Sequence, residues 1–388
     1  MAKRRQRVFT ALGLMSGTSL DGIDAAVLRT DGRAHVEFGQ ALTVSYESEL
    51  RERIRAVFGG VGPVDEVGRA LTVAHAEAVE RLLRAGGLGA DDVDVVGFHG
   101  QTILHRPAER RTWQIGDGDL LAEMTGIAVV DDFRSRDIAL GGQGAPLVPL
   151  FHAARCQTLD RPVAVLNIGG VANVTWIGAG CDAAADVPDP DSIVAFDTGP
   201  GNALIDDWVR TRTGQAWDID GALARAGQVD QRALTALLAN PYFDLPPPKS
   251  LDRNDFDPAP LMGLSVADGA ATLTAFTAAA AARAREHLPV PPRHWLATGG
   301  GRRNPVLMAA LSQAFGWEVL PVESVDWDGD ALEAQAFAYL AVRSILNLPL
   351  SLPSTTGVPQ PTRGGRLHQP AGKPGLRVGP RRRAAARD

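Results

Sequence analysis

A chain of 388 residues, 45% apolar and 22% charged, is long enough for two domains with substantial cores. Two cysteines, Cys156 and Cys181, exclude a disulfide framework and fit a reducing cytoplasm; no run of about eighteen apolar residues is present to cross a membrane. The net charge of −6 hides a segregation: residues 8 to 350 carry 27 basic against 44 acidic side chains, near −17, which argues against nucleic acid as the main partner of the folded body. From Ser351 onward the Pro-, Gly- and Arg-rich sequence, with eight basic residues and one acidic, reads as a disordered basic tail spanning 351–388. The first seven residues read as a solvated basic end, because the apolar stretch 8–14 behind them is too short for a signal sequence.

The organising stretch is 12–28, LGLMSGTSLDGIDAAVL, read as a strand, a tight turn of small residues and a returning strand. Gly17 and Gly22 let a phosphate approach the backbone, Thr18 and Ser19 add hydroxyls beside the N–H donors, and Asp21 and Asp24 are hard oxygen ligands for Mg²⁺ arriving with a nucleotide. A hairpin whose Gly and Asp residues only make the bend is the competing reading. No lysine is present, so this is not a Walker A loop.

A third strand is expected at 34–44, and helices at 47–58 and 68–85. A short buried strand at 94–98 runs into His99-Gly100-Gln101-Thr102, where polar residues at a strand's C-terminal end make His99 and Gln101 site candidates. A histidine satisfied by a loop carbonyl is the alternative, and His99 and His105 lack metal-ligand spacing. Strands at 112–115 and 127–130 bracket a helix at 120–125, and the second strand ends at Asp131-Asp132-Phe133-Arg134. The glycine-rich loop 140–146 either lets backbone approach a substrate or hinges two domains, readings that are compatible.

Residues 163–177, VAVLNIGGVANVTWI, repeat the opening theme with Gly169 and Gly170 at the turn and Asn167 and Asn173 beside it, which predicts two related halves whose turns face one nucleotide. A strand at 193–196 runs into Asp197-Thr198-Gly199-Pro200-Gly201-Asn202 and a helix at 203–212. A carboxylate there faces the cleft as a candidate general base, a turn or cap role being the alternative. The Pro-rich stretch 240–257, with Lys249, Arg253 and Asp255, reads as a lid or as a long surface connection. An Ala-rich helix capped by Asp268 is expected at 268–288, followed by a strand at 294–297, the glycine turn Gly299-Gly300-Gly301 and a helix from Asn304 whose N-terminus suits a nucleotide. A last strand at 318–321 precedes a closing helix to Leu346, from which Glu333 can reach the cleft.

Together GLMSGTSLDGID (13–24), GFHGQTILHRP (97–107), DDFRSRDIALGGQGAPLVP (131–149), NIGGVANVT (167–175), FDTGPGNALID (196–206), TGGGRRNP (298–305) and GDALEAQAFAYLA (329–341) resemble the anhydro-N-acetylmuramic acid kinases of the sugar kinase, hsp70 and actin superfamily. The basic tail is expected to lie outside that pattern. The resemblance implies an α/β, two-lobed fold, each lobe an RNase H-like mixed sheet with helices: a first lobe at 1–145 with a returning helix at 330–350, and a second at 146–329. It implies ATP and Mg²⁺ as cofactors, a small-molecule anhydro-amino-sugar from cell-wall turnover as partner, and a homodimer.

By position, the resemblance assigns the ATP phosphates to Gly17, Thr18, Ser19, Leu20, Asp21, Gly22, Ile23 and Asp24 and the adenosine border to Gly299, Gly300 and Gly301; Asn167, Gly169 and Gly170 at the second turn and Asn304 at the helix start are the further ATP-site candidates of the residue pattern. Asp21 and Asp24 would meet Mg²⁺ through water. Asp197 is the expected base, with Glu333, Arg134 and Gln143 gripping or polarising the sugar and His99, Gln101, Gly199 and Asn202 beside it. Two rivals are a sugar kinase without ring hydrolysis and an ATP-switched scaffold like actin or hsp70.

Overall fold

The computed structural model describes residues 7–251, 255–373 and 375–376. The chain opens as an antiparallel meander of β1 (Phe9–Ser16), β2 (Gly22–Thr30) and β3 (Val36–Ser45). Helices α1 (Ser48–Ala56) and α2 (Val64–Gly86) cross over to β4 (Val95–Arg106), which lies parallel to β1. Strand β5 (Arg111–Ile115) folds back on β4; α3 (Gly118–Thr125) then leads to β6 (Val129–Asp131), parallel to β4. Two short helices, α4 (Ser135–Ala139) and α5 (Pro149–Arg155), carry the chain to a second meander, β7 (Val163–Ile168), β8 (Val171–Ile177) and β9 (Ile193–Pro200). Four helices follow: α6 (Ala203–Thr213), α7 (Ala222–Ala226), α8 (Gln231–Leu238) and α9 (Val266–Arg283). Strand β10 (His294–Thr298) then pairs in parallel with β7, and, after α10 (Pro305–Phe315), β11 (Val319–Pro321) pairs in parallel with β10.

The strand orders are β3-β2-β1-β4-β6 and β9-β8-β7-β10-β11, with the same sense at each position. The duplication that the two glycine hairpins suggested is therefore a duplication of topology. Alternation along β1 explains how its sheet is covered on both faces. Leu12 and Leu14 pack with Leu71, Val79 and Leu82 of α2 on one side, while Phe9 and Ala11 meet α11 (Leu332–Ile345) on the other. That helix lies almost on the sheet: a Cβ on Gly13 would come within 1.7 Å of the Ala334 carbonyl oxygen, and one on Gly97 within 2.1 Å of that of Phe337. Only glycine admits such an approach.

Three expectations are corrected. Strand β4 does not stop at Phe98: it bends at Gly100, whose φ is +70°, and continues to Arg106, so His99 and Gln101 lie within the sheet. Helix α9 starts earlier than 268 and is capped by Ser265, whose hydroxyl accepts the Asp268 N–H at 3.1 Å; Asp268 sits in the first turn instead. The tail from Ser351 is structured over 351–373. After Leu350 and Leu352 enter the core, α12 (Pro353–Thr356) and β12 (Arg366–His368) follow, and β12 pairs antiparallel with β6. Composition hid this because a few buried groups, Val358, Thr355, Thr356 and His368, anchor a segment otherwise rich in Pro and Gly. The basic run at 381–383 lies outside the described residues.

Candidate active site

The two hairpin turns meet. In the β1–β2 turn Thr18 and Ser19 are exposed, while Leu20, at φ +60°, and Ile23 turn their side chains into the core, and Leu20 N–H closes the turn on the Gly17 carbonyl at 3.2 Å. A Cβ on Gly170 of the β7–β8 turn would lie 3.9 Å from Thr18 Oγ1, which sets the two turns face to face. Gly169 and Gly170 accept backbone N–H bonds from Asn202 and Gly201 at 2.7 and 2.9 Å, and Asn202 Nδ2 donates to the Ile168 carbonyl at 3.1 Å. Gly299, Gly300 and Gly301 belong to the same floor: Cβ atoms there would lie 2.4 Å from Asn167 Oδ1 and 3.8 and 3.2 Å from Asn202 Nδ2. Asn304 spends its side chain capping α10, accepting from Val306 and Leu307 N–H, so it offers the helix N-terminus rather than itself.

Carboxylates gather on the first-lobe side of these turns. Asp24 stands opposite Thr43 in the β2–β3 register and accepts its hydroxyl at 2.6 Å. Burial raises the Asp24 pKa; the Thr43 hydroxyl opposes this, and Asp330 and Asp21 add repulsion. Behind it, Ser16 Oγ donates to Gln101 Oε1 at 2.5 Å, so its lone pairs take the Tyr46 hydroxyl at 2.6 Å. Gln101 is wholly buried, its carboxamide oxygen shaping the turn from behind. Glu333, at the start of α11, accepts Asn167 Nδ2 at 3.2 Å; burial raises its pKa, with Asp24 adding repulsion and Arg134 opposing it.

Asp197 anchors the other side. It is buried in β9, directly across from Asn173, which is in turn across from Asn167. The register thus places Asn167, Asn173 and Asp197 in one row across three strands, and the Asn173 side-chain oxygen has no hydrogen-bond partner among the described residues. The Pro-rich stretch straps Asp197 in place: Leu251 N–H donates to Oδ2 at 2.9 Å, Asp197 N–H donates to the Lys249 carbonyl at 3.0 Å, and the Tyr242 hydroxyl donates to the Asp197 carbonyl at 2.5 Å. Burial pushes the Asp197 carboxyl up to about 7, against the pull of the Leu251 N–H and the Arg134 charge. A buried carboxyl poised near neutrality is what a general base requires.

Arg134 is held by the first lobe. Its Nε and Nη2 donate to His99 Nε2 at 3.0 and 2.9 Å, and Nη1 donates to the Gly144 carbonyl at 2.8 Å. Because His99 Nδ1 faces the Gly100 carbonyl at 2.8 Å, the ring proton sits there and Nε2 is free to accept. Burial, joined by the Arg134 charge, holds His99 well below its ordinary pKa and keeps it neutral. Burial likewise brings Arg134 down to about 10, while Glu333, Asp137 and Asp197 hold it protonated. His99 therefore serves the arginine, and the charges of Glu333 and Asp197 act on the arginine. Gln143 Oε1 accepts Ser250 Oγ at 2.6 Å from the strap. Gly199 is turned away from the cleft: its φ is +153°, and a Cβ there would meet Ala280 at 2.8 Å.

Thr43, Tyr46, Tyr242 and Leu251 were not marked by any sequence motif. The hairpin register by itself sets Thr43 across from Asp24. Arg253 falls outside the described residues.

Two like-ordered sheets, each sending a glycine hairpin into one cleft, with α11 packed behind the first, define a two-lobed α/β protein. The family model for anhydro-N-acetylmuramic acid kinase matches residues 9–369, well into the stretch that the sequence pattern had set outside it. Proteins of that name from Rhodospirillum rubrum, Paramagnetospirillum magneticum and Acidiphilium cryptum are 58, 56 and 55% identical to it, covering 92, 93 and 93% of this chain and 93, 99 and 98% of their own. The chain belongs to the anhydro-N-acetylmuramic acid kinase family. No helix among the described residues is long and apolar enough to cross a membrane.

Proposed function

We propose that this protein uses ATP to convert 1,6-anhydro-N-acetylmuramic acid into N-acetylmuramic acid 6-phosphate and ADP, adding water across the anhydro bridge. The observation that carries this is Asp197: a buried carboxyl raised to about 7, held by Leu251 and drawn back by the Arg134 charge, in the row that runs from the second hairpin turn's Asn167. The Asp197 carboxylate takes a proton from water as its oxygen bonds to C1, and the C1–O6 bond breaks. The released O6 attacks the γ-phosphorus, ADP departs, and Asp197 returns its proton to solvent. Arg134 is placed to steady charge on the sugar side, with Glu333 held by Asn167 opposite it.

Backbone N–H groups of residues 17–19 and of the second turn suit the phosphates, and the Gly299–Gly301 floor suits the nucleoside. Mg²⁺ would suit the mutually repelling carboxylates of Asp24 and Asp21, while both oxygens of Asp330 are held by Arg302 and Arg303. No group of three or more His, Cys, Asp or Glu among the described residues could cage a metal, so Asp21 and Asp24 would hold the ion through its waters. When bound, Mg²⁺ neutralises charge on the transferring phosphoryl group. The free, buried Cys156 and Cys181 support work in a reducing cytoplasm, and closure would move residues 146–329 against the rest. ADP release measured with ATP, Mg²⁺ and the anhydro-sugar tests the reading. Turnover that depends on the sugar supports it, and turnover indifferent to the sugar returns the protein to the switch-like scaffolds.

A further inference from the structure

The stretch that composition marks as a free tail is bonded into the wall of the site. At the junction stands Asp137, a buried carboxylate whose charge helps keep Arg134 protonated. Its Oδ1 accepts Gly144 N–H at 2.7 Å, and its Oδ2 accepts the hydroxyls of Ser351 at 2.5 Å and Thr356 at 2.6 Å. Its carbonyl takes Gly142 N–H at 2.9 Å, and Gln143 N–H donates to the Thr356 carbonyl at 2.6 Å. The loop has no slack here, since a Cβ on Gly142 would lie 2.2 Å from Asp137 Oδ1 and 2.6 Å from Val358 Cγ1.

Two contacts of the reacting groups hang on this loop. The Gly144 carbonyl receives Arg134 Nη1, and Gln143 receives Ser250 of the strap that holds Asp197. A guanidinium on a long stem points where its acceptors direct it. His99, one acceptor, is fixed within β4; the Gly144 carbonyl, the other, is only as fixed as its loop. We propose that Asp137, clasped by the Ser351 and Thr356 hydroxyls of the C-terminal segment, is a positioning residue that aims Arg134 at the Asp197 carboxylate. This rests on the reading of Asp197 as the base.

The charge environment of Asp197 makes the proposal readable. Arg134 brings positive charge toward it, the Tyr242 hydroxyl is neutral and bonded to its carbonyl, and the Lys249 ammonium is turned to the carbonyls of Tyr242 and Phe243 at 3.2 and 3.5 Å. A mis-aimed Arg134 therefore leaves Asp197 harder to ionise, which a merely stabilising segment would not do.

The test measures sugar-dependent ADP release by the full chain from about pH 5 to about pH 9, with thermal unfolding in parallel. The variants are Thr356→Val, Ser351→Ala, the pair combined, and Thr356→Ser. Ser354→Ala is the control, because the Ser354 hydroxyl has no partner among the described residues. Thr356→Val is expected to lower kcat by about ten- to a hundredfold and to move the acid limb of kcat/KM to higher pH. Thr356→Ser should restore both, and Ser354→Ala should match the parent. Should the combined variant not fold, Ser351→Ala alone reads the same limb. Variants that lose thermal stability but keep the parent's kcat and acid limb would overturn the proposal and leave the segment a simple brace. A parent protein without sugar-dependent turnover would overturn the base reading, and the proposal with it.

Discussion

Replacing Asp197 by Asn should weaken catalysis and strengthen the fold at the same time. The amide oxygen can still accept the Leu251 N–H, and the backbone bonds to Lys249 and Tyr242 are untouched, so the strap should stay in place. What disappears is the burial of an ionised carboxyl. A group raised from its ordinary 3.8 to about 7 in the folded chain costs that state roughly 4 kcal/mol once fully ionised, at about 1.4 kcal/mol per pH unit. The sign follows from proton counting. Between the two values the folded state holds a proton that the unfolded state has lost, so parental stability falls as pH rises from 3.8 to about 7 and levels off above. Asp197→Asn escapes this fall. Its advantage over the parent should be absent near pH 4, about 1–2 kcal/mol near pH 5 and largest above pH 7. Urea titrations of both proteins at several pH values measure it, while sugar-dependent ADP release should drop by about 10² to 10⁴-fold. A stability difference that does not change with pH would refute the assignment of a raised, buried carboxyl, and near-normal turnover would refute its role as base.

In the parent, kcat/KM should rise with pH through about 7 as Asp197 ionises, a pH–rate profile being the check. Thr43→Val removes the hydroxyl bond that favours the ionised form of Asp24 and should weaken Mg²⁺–ATP binding about fivefold, read by calorimetry. Gly13→Ala forces a methyl against the α11 backbone and should cost about 3 kcal/mol or prevent folding, seen in thermal unfolding. His368 bridges Asp119 and Asp131 at 2.7 and 2.8 Å, and its hydrogen bond with Asp131 is the main cause of its raised pKa. A raised folded value stabilises fully below the ordinary 6.5 and fades as pH climbs past it, so His368→Ala should lower stability by about 2 kcal/mol near pH 6 and by less near pH 9.

Much of the architecture could be read from local pattern. Each glycine turn between apolar runs became a hairpin, and the repeat at 163–177 marked a second sheet of the same order, because such hairpins are set by neighbours in sequence. Asp197 was visible for the same reason, a carboxylate set beside an unusual Gly-Pro-Gly backbone. What the pattern could not carry were pairings at long range. Nothing near His99 says that it accepts from an arginine 35 positions on, and nothing near Asp137 points to hydroxyls 214 and 219 positions away. Polar character at 99–102 signals a strand end, whereas a single left-handed glycine lets β4 bend and carry on. The C-terminal segment reads as free because composition weighs every residue alike, whereas a strand of three residues and a few buried side chains suffice to hold it.

The most direct test of the whole account is mass spectrometry of the product made from anhydro-N-acetylmuramic acid, ATP and Mg²⁺ in ¹⁸O-labelled water. It is sampled within the first turnovers and compared with finished product merely incubated in the same water. A 6-phosphate carrying the heavy oxygen at C1 beyond that background is the expected result. A phosphorylated sugar that still holds its anhydro bridge, or whose C1 oxygen is unlabelled, would contradict the account.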